Sequence, residues 1–298
     1  MIKLYKIKRI INNPFIIISY LGCKGLLNWI PDKPYLKMVF KANVNMKLDL
    51  KNPKTFNEKL QWLKLNDRKS EYTKLVDKYE VRNYIEKTIG KEYLIPLIGI
   101  WDKFDDIDFD KLPNKFVLKC THDSGSVFIC TNKSTFNIKE VKKKINKALK
   151  KNYFYVAREW PYKNVKPRII CEKFIEGKNT TPDDYKFLCF NGKVKLIEVH
   201  IDRFENHKQD FYDENWNKTS ISQDGTTSTY IKEKPKQFEE MIKLSEKIAK
   251  NKYHVRVDWF ISGEKIYFGE ITFYDGAGFD AFDNLDDDYL IGSWIDIN

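Results

Sequence analysis

Two runs near the end of the chain, VRVDWFI at 255–261 and KIYFGEITF at 265–273, are strand-like and are joined about Ser262-Gly263. So short a connection permits antiparallel pairing only, because a parallel partner needs a crossover of a dozen residues or more. The period of two then puts Arg256 and Asp258 on one face of their strand, and Glu270 and Thr272 on one face of theirs. Any one such charge reads as an outward-facing residue on a half-buried strand. Together they read differently, since strand charges cost burial energy unless they face solvent or a ligand. Two carboxylates beside cations are what Mg²⁺ and a nucleotide need: hard oxygen ligands for the metal and positive charge for the phosphates.

Other elements follow from local signals. Thr55 and Glu58 form a capping box ahead of Leu60, Trp62, Leu63 and Leu65, so a helix starts there. A second helix is expected from Asp77 to about Lys87, a third from Asn137 to about Lys151, and a fourth from Pro235 to about Lys250. KFVLKC at 115–120 and VFICT at 127–131 read as a hairpin around the small polar loop THDSGS, whose backbone N–H groups could cover phosphates. Strands are expected at 168–175, 185–190 and 194–201, the last two joined by Asn191-Gly192, a strong hairpin signal. Residues 205–234 read as a polar stretch and Asp286-Asp287-Asp288 as an acidic loop.

Composition bounds the function. The 298 residues suffice for about two folding units, and thirteen Gly with ten Pro exclude collagen-like or Pro/Gly-rich disordered chains. Residues 1–48 hold nine Lys or Arg against one Asp, so most of the net +11 lies there and the rest is nearly balanced. Only seven basic residues are Arg (9, 68, 82, 158, 168, 203 and 256), which takes weight from a nucleic-acid reading; a lysine-biased genome also gives such scarcity, and each retained Arg is then a better candidate for a role that needs its fork. Five cysteines without CxxC read as buried reduced thiols in a cytoplasmic protein. No run approaches the length of a membrane span. Residues 1–30 combine basic residues with the apolar NPFIIISYLG, and read either as an arm lying on an anionic membrane surface or as an ordinary helix with a solvated lysine face.

The order of a strand Lys, a Gly-containing hairpin loop, Glu-x-x-Ile, a later strand Lys, Arg-x-Asp and Glu-x-Thr resembles the ATP-grasp superfamily. More narrowly, NPKTFNEKLQWLKL, LVDKYEVRNYI, FVLKCTHDSGSVFI, DDYKFLCFNGKV, VRVDWF and IYFGEITFYDGAGF resemble the TupA-like ATP-grasp proteins of bacterial surface-polysaccharide loci, over about residues 45–298. The resemblance implies an α+β ATP-grasp fold in which two α+β subdomains clasp ATP. Residues 1–45 would be a basic, partly apolar helical extension, 46–112 an N-terminal α+β region, 113–178 the lid subdomain and 179–298 the core subdomain with the metal site. By the same resemblance, Lys78 and Lys119 would contact phosphates, and Ser124, Gly125 and Ser126 would form the lid over them. Glu172, Lys173, Phe174 and Ile175 match the adenine hinge, with Glu172 near the exocyclic amine. Lys186 matches a further lysine at the nucleotide, Asp258 and Glu270 the Mg²⁺ ligands, and Arg256 the arginine beside the transferred phosphate. Thr272 stands where much of the superfamily has Asn, a weaker and shorter metal ligand.

The implied chemistry is ATP-dependent ligation of a carboxylate to an amine through an acyl phosphate. The implied setting is bacterial capsular or teichuronic-type polysaccharide, with a carboxylated sugar or polysaccharide precursor and an amino acid or amine as partners. Catalysis would fall to Arg256, Lys186 and Arg203, and His122, Arg203 and Asp184 are candidates for the acceptor side. His122 reads equally as a loop histidine bonded to backbone. A glycosyltransferase using a nucleotide sugar and a sugar kinase on the same fold are the alternatives. The expected location is the cytoplasm, peripheral on the inner face of the membrane.

Overall fold

The structure, a computed structural model, describes residues 16–177, 182–201, 208–223, 225 and 227–297. Among them nine strands form two sheets in which neighbouring strands run antiparallel. The smaller has the order β1 (Leu97–Trp101), β4 (Ile169–Lys173), β2 (Phe116–Cys120), β3 (Val127–Cys130). The larger has the order β7 (Lys208–Asp213), β6 (Lys193–Ile201), β5 (Asp183–Phe190), β8 (His254–Ser262), β9 (Lys265–Thr272).

The expected β8–β9 hairpin is present, with Arg256 opposite Thr272 and Ser262 opposite Lys265. Its turn is Gly263-Glu264, one residue beyond the expected position, because Ser262 still pairs; Gly263 takes the positive φ of 61° that such a turn requires. At the β5–β6 turn Asn191 and Gly192 both have positive φ, 48° and 83°, the mirror-image geometry that matches strand twist.

Helix Phe56–Asn66 carries the expected capping box: Thr55 accepts from the Glu58 amide and Glu58 from the Thr55 amide. The helix Ile138–Ala148 is capped by Asn137, which accepts from the Glu140 amide. The helix expected from Asp77 begins only at Val81 and runs to Thr88, and a separate short helix, Tyr72–Val76, precedes it. The break is chemical: the Asp77 carboxylate accepts from the amides of Tyr79 and Glu80, which offers the backbone a turn in place of helix. The fourth helix spans Phe238–Ala249.

Other elements also depart from the sequence-based reading. β1 was not foreseen, β7 lies inside the supposed polar stretch, and the supposed acidic loop is the start of a helix, Leu285–Ser293. Asn284 caps that helix by accepting from the Asp286 amide, and three aspartates in its first turn suit the positive end of the dipole. Asp288 is buried and accepts from both the amide and the side-chain nitrogen of Asn57, at 3.0 and 3.2 Å, so it joins this helix to Phe56–Asn66.

Each sheet has its own core. The smaller packs Phe116, Leu118, Cys171, Val141 and Ile145, while the larger packs Phe187, Ile197, Phe238, Met241, Val257 and Trp259. Full burial of such side chains contributes about 1.5–3 kcal/mol each. A third cluster, Leu36, Phe40, Val44 and Leu48, seats helix Asp32–Val44 on the body, so the basic extension ends in a packed helix. Of the cysteines, Cys120, Cys130, Cys171 and Cys189 are buried thiols and Cys23 is an exposed one. No described helix is long and apolar enough to cross a membrane.

The larger core contains a titration switch. His254 is buried between Phe56 and Phe190, with ring centroids 5.1 and 4.8 Å away, and burial pushes its pKa down to about 3. The unfolded chain binds a proton there below about 6.5 while the native chain does not, so stability falls as pH drops from about 6.5 towards 3. The slope from this residue is about 1.4 kcal/mol per pH unit. His254→Phe is expected to flatten the loss of melting temperature between pH 6.5 and 4.5; an unchanged slope would remove His254 as its source.

Candidate active site

The larger sheet gathers the charges. Across one row, Lys186 on β5 lies opposite Glu198 on β6 and opposite Asp258 on β8, so all three share a face. Arg256 lies two residues from Asp258 on that face, opposite Thr272. A register shift between β8 and β9 falls at this point, and Gly269 fills it: a Cβ there would sit 3.0 Å from the Asp258 carbonyl oxygen.

Arg256 is the hub. Its Nε and Nη2 donate to the two oxygens of Asp258 at 2.7 Å each, Nη2 also reaches Glu270 at 3.2 Å, and Nη1 pairs with Asp275. Burial and the nearby Glu270 push the Asp258 carboxyl up, against the pull of Arg256. For Glu270, burial also opposes ionisation, yet Lys78, Arg256, Lys186 and Lys119 together hold it below the usual carboxylate range. Four cations from four separate segments therefore act on one carboxylate. The Asp258 side chain is only 7% exposed, whereas that of Glu270 is 37% exposed.

Lys186 is 2.9 Å from Glu198 and also meets His200, and Gln209 donates to the same Glu198 oxygen at 2.9 Å. Burial works against ionisation of Glu198, but Lys186, His200 and Arg256 hold its carboxyl far below the usual range. Asp184, opposite Phe260, adds negative charge to Asp258. Thr272 turns its hydroxyl to Glu270 at 3.3 Å.

On the smaller sheet, Lys119 donates to Glu172 at 2.6 Å, and Glu172 also receives Arg82 at 3.0 Å. Lys78 donates to the Asp123 carbonyl oxygen at 2.6 Å, which ties it to the loop containing Ser124, Gly125 and Ser126. Gly125 in that loop has φ of 96° with no atom within 4 Å of where a Cβ would be. Lys173 donates its amide to the Pro96 carbonyl at 2.9 Å, Phe174 and Ile175 are buried, and Ser262 donates to the Glu176 carbonyl at 2.6 Å. His122 is buried with Nε2 3.1 Å from the Ala148 carbonyl oxygen, the backbone-bonded arrangement, and is not among the residues facing Arg256. Arg203 lies outside the described residues.

Between the sheets, Lys78, Lys119, Arg82, Glu172, Val81, Leu94, Phe268 and Gly269 line a slot of about 10 Å³. Arg82 and Leu94 also border an open cleft of about 800 Å³, with Tyr79, Asn83, Pro96, Lys265 and Tyr267. No group of three or more His, Cys, Asp or Glu among the described residues is arranged to hold a metal ion. The donor chemistry nonetheless fits one: Asp258 and Glu270 are hard oxygen donors, and the proton-retaining bias of Asp258 is what a neighbouring cation relieves.

Sequence reasoning missed Glu198, His200, Gln209 and above all Glu159. Glu159 is buried in an irregular segment, where Lys64, Glu270, Arg256 and Asp275 act on it and burial pushes its carboxyl up. The segment is brought there by Lys64, whose ammonium donates to the carbonyls of Ala157 and Ala277 at 2.9 and 2.6 Å. No period or spacing marks such a residue.

Residues 58–296 match the family model described as TupA-like ATPgrasp. No curated protein matches. Similar solved structures include the D-alanine–D-alanine ligase from Bacillus anthracis, with 18% identity over 67% of this chain and 57% of that one, at a TM-score of 0.39. Another is the D-alanine–D-alanine ligase from Helicobacter pylori, with 13% identity over 81% of this chain and 69% of that one, at 0.40. A third is the ATP-grasp ligase PsnB complexed with a phosphomimetic variant of its minimal precursor, Mg and ADP, with 8% identity over 79% and 65%, at 0.41. The chain spans less than two thirds of the length of the Bacillus anthracis ligase.

Proposed function

Because the chain belongs to the TupA-like ATP-grasp family and has its α+β ATP-grasp fold, we propose that it is an ATP-dependent carboxylate–amine ligase. The observation that carries this reading is the convergence of Lys78, Lys119, Lys186 and Arg256 on Glu270 beside Asp258. Lys119, Lys186 and Arg256 are each paired with a carboxylate of the protein, and together with Lys78 they offer the positive charge that the phosphates of a nucleotide take up.

Asp258 and Glu270 would hold Mg²⁺, which supplies charge neutralisation at the phosphates. Lys78 and Lys119 bind phosphate oxygens, and the Ser124–Ser126 loop covers them with backbone N–H groups. The substrate carboxylate attacks the γ-phosphorus, the bond to the β-phosphate oxygen breaks, and ADP leaves. Arg256, held by its carboxylates, stabilises charge on the phosphoryl group in flight and then on the tetrahedral oxyanion. An amine attacks the acyl phosphate, loses a proton, and expels phosphate to leave an amide. We read the acceptor as a carboxylated sugar or polysaccharide precursor of the bacterial surface and the amine as an amino acid or similar amine, with Asp184 on the acceptor side.

Lys119→Ala is expected to weaken ATP binding roughly ten- to hundredfold by calorimetry, the scale of a charge-assisted bond. Incubation with ATP, Mg²⁺, uronic acids and amino acids, read by mass, tests the reaction. ADP with a new amide supports the ligase, a phosphorylated sugar makes it a kinase, and turnover of a sugar nucleotide without ATP makes it a glycosyltransferase. The last has little support from Asp286-Asp287-Asp288, since Asp288 is committed to Asn57.

A further inference from the structure

The first described helix, Ile16–Cys23, is IIISYLGC, without a charge. One side packs on the body: Gly22 is buried so closely that a Cβ would sit 2.1 Å from the Tyr35 hydroxyl oxygen, and Ser19 accepts from Asn43 at 2.8 Å. The other side and the following loop are bare, with Ile17 43%, Tyr20 61%, Leu26 61% and Trp29 79% exposed. The loop is a firm mount. Buried Arg158 donates to the carbonyls of Leu27 and Ile30 at 3.1 and 3.0 Å, so Trp29 is held out rather than left free.

The helix that packs against Ile16–Cys23 carries exposed lysines. Lys33, Lys37 and Lys41 recur every fourth residue along helix Asp32–Val44, all on its exposed face, while Tyr35, Leu36, Val39 and Phe40 on the other face are buried. Lys24 is exposed beside Tyr20, its ammonium 5.4 Å from the ring. The nearby acid, Asp32, is taken up by Arg68 at 2.7 Å and Arg158 at 3.4 Å.

We propose that this patch docks the protein on an anionic lipid bilayer, with Leu26 and Trp29 entering the headgroup region and the lysines meeting acidic headgroups. Trp and Tyr with an apolar body and a polar tip suit that depth, and the lysine stripe supplies the complementary charge. A second copy of the chain is a poor occupant, because a twofold contact would set lysine stripe against lysine stripe. The chain's own first fifteen residues bring Lys3, Lys6, Lys8 and Arg9, again like charge. The inference is independent of the ligase reading.

The test is sedimentation of the full chain with vesicles of phosphatidylcholine alone or with about a third phosphatidylglycerol. Basic residues near an anionic leaflet each strengthen binding about fivefold. The wild type is expected to bind the anionic vesicles at least a hundredfold more tightly than the neutral ones. Lys33→Gln, Lys37→Gln and Lys41→Gln together are expected to lose roughly a hundredfold of that affinity. Leu26→Glu with Trp29→Glu is expected to lose at least tenfold, and both variants keep the wild-type melting temperature because the altered side chains are exposed. Equal binding to the two vesicle types, or unchanged binding by both variants, overturns the proposal. So does a wild-type dimer in sedimentation velocity that the Leu26→Glu, Trp29→Glu variant breaks, since the patch is then a protein interface.

Discussion

Arg256→Leu is expected to abolish ATP-dependent turnover and to lower stability by about 3–5 kcal/mol, the usual cost of stripping the partner from buried charges. The loss is large because one guanidinium serves Asp258, Glu270 and Asp275 together. Without it three acids crowd a low-dielectric site, and each must take a proton or draw in water. Arg256→Lys keeps the charge but not the fork, so it is expected to regain much of the melting temperature and little of the turnover. Thermal denaturation and ADP release measured side by side decide the matter. Full activity in the Lys variant would deny the fork a role.

Glu270→Gln and Asp258→Asn are expected to separate chemistry from folding. Both remove charge where a metal and phosphates would sit, and each is expected to cut turnover by roughly 10²–10³. Their stabilities differ for a structural reason. Glu270 is partly exposed and meets Arg256 through one nitrogen at 3.2 Å, so Gln is expected to change stability by less than about 1 kcal/mol. Asp258 is buried and bidentate, so Asn leaves a guanidinium nitrogen facing a donor and is expected to cost about 3 kcal/mol. The period of two treats both carboxylates alike, as groups facing a ligand; the geometry leaves Glu270 partly exposed and buries Asp258. Equal melting temperatures in the two variants would contradict this division.

Much of the frame was legible because its signals are local. Thr55 with Glu58, Asn137 with Glu140 and Asn191-Gly192 each specify a cap or turn through a hydrogen bond or a positive φ that few residues provide. The scarcity of arginine was informative in the same way. Among the described residues Arg68, Arg82, Arg158, Arg168 and Arg256 each make two or more bonds through the guanidinium. What stayed hidden depends on tertiary neighbours. KQDFYD forms β7 because β6 offers it an open edge, not because it alternates. Glu159 reaches the site through Lys64, a contact between residues 93 positions apart along the chain when counted to Ala157. Asp286-Asp287-Asp288 reads as a loop by its charge, whereas it is the cap at Asn284 and the helix dipole that make it a first turn.

The seam between the smaller sheet and the body is stitched by charge. Arg82 meets Glu172, Arg168 meets both Asp77 and Glu80 at 2.8 Å, and Lys78 reaches the Asp123 carbonyl. Neither of the two hydrophobic cores has to be cut for the sheets to part along these contacts. Parting would exchange ion pairs for water at little change in heat capacity. Its cost would fall on Arg82–Glu172 and Arg168–Asp77, whose side chains are 3% to 17% exposed, so added salt would screen them only weakly, and that cost stands apart from the forces that keep either half folded.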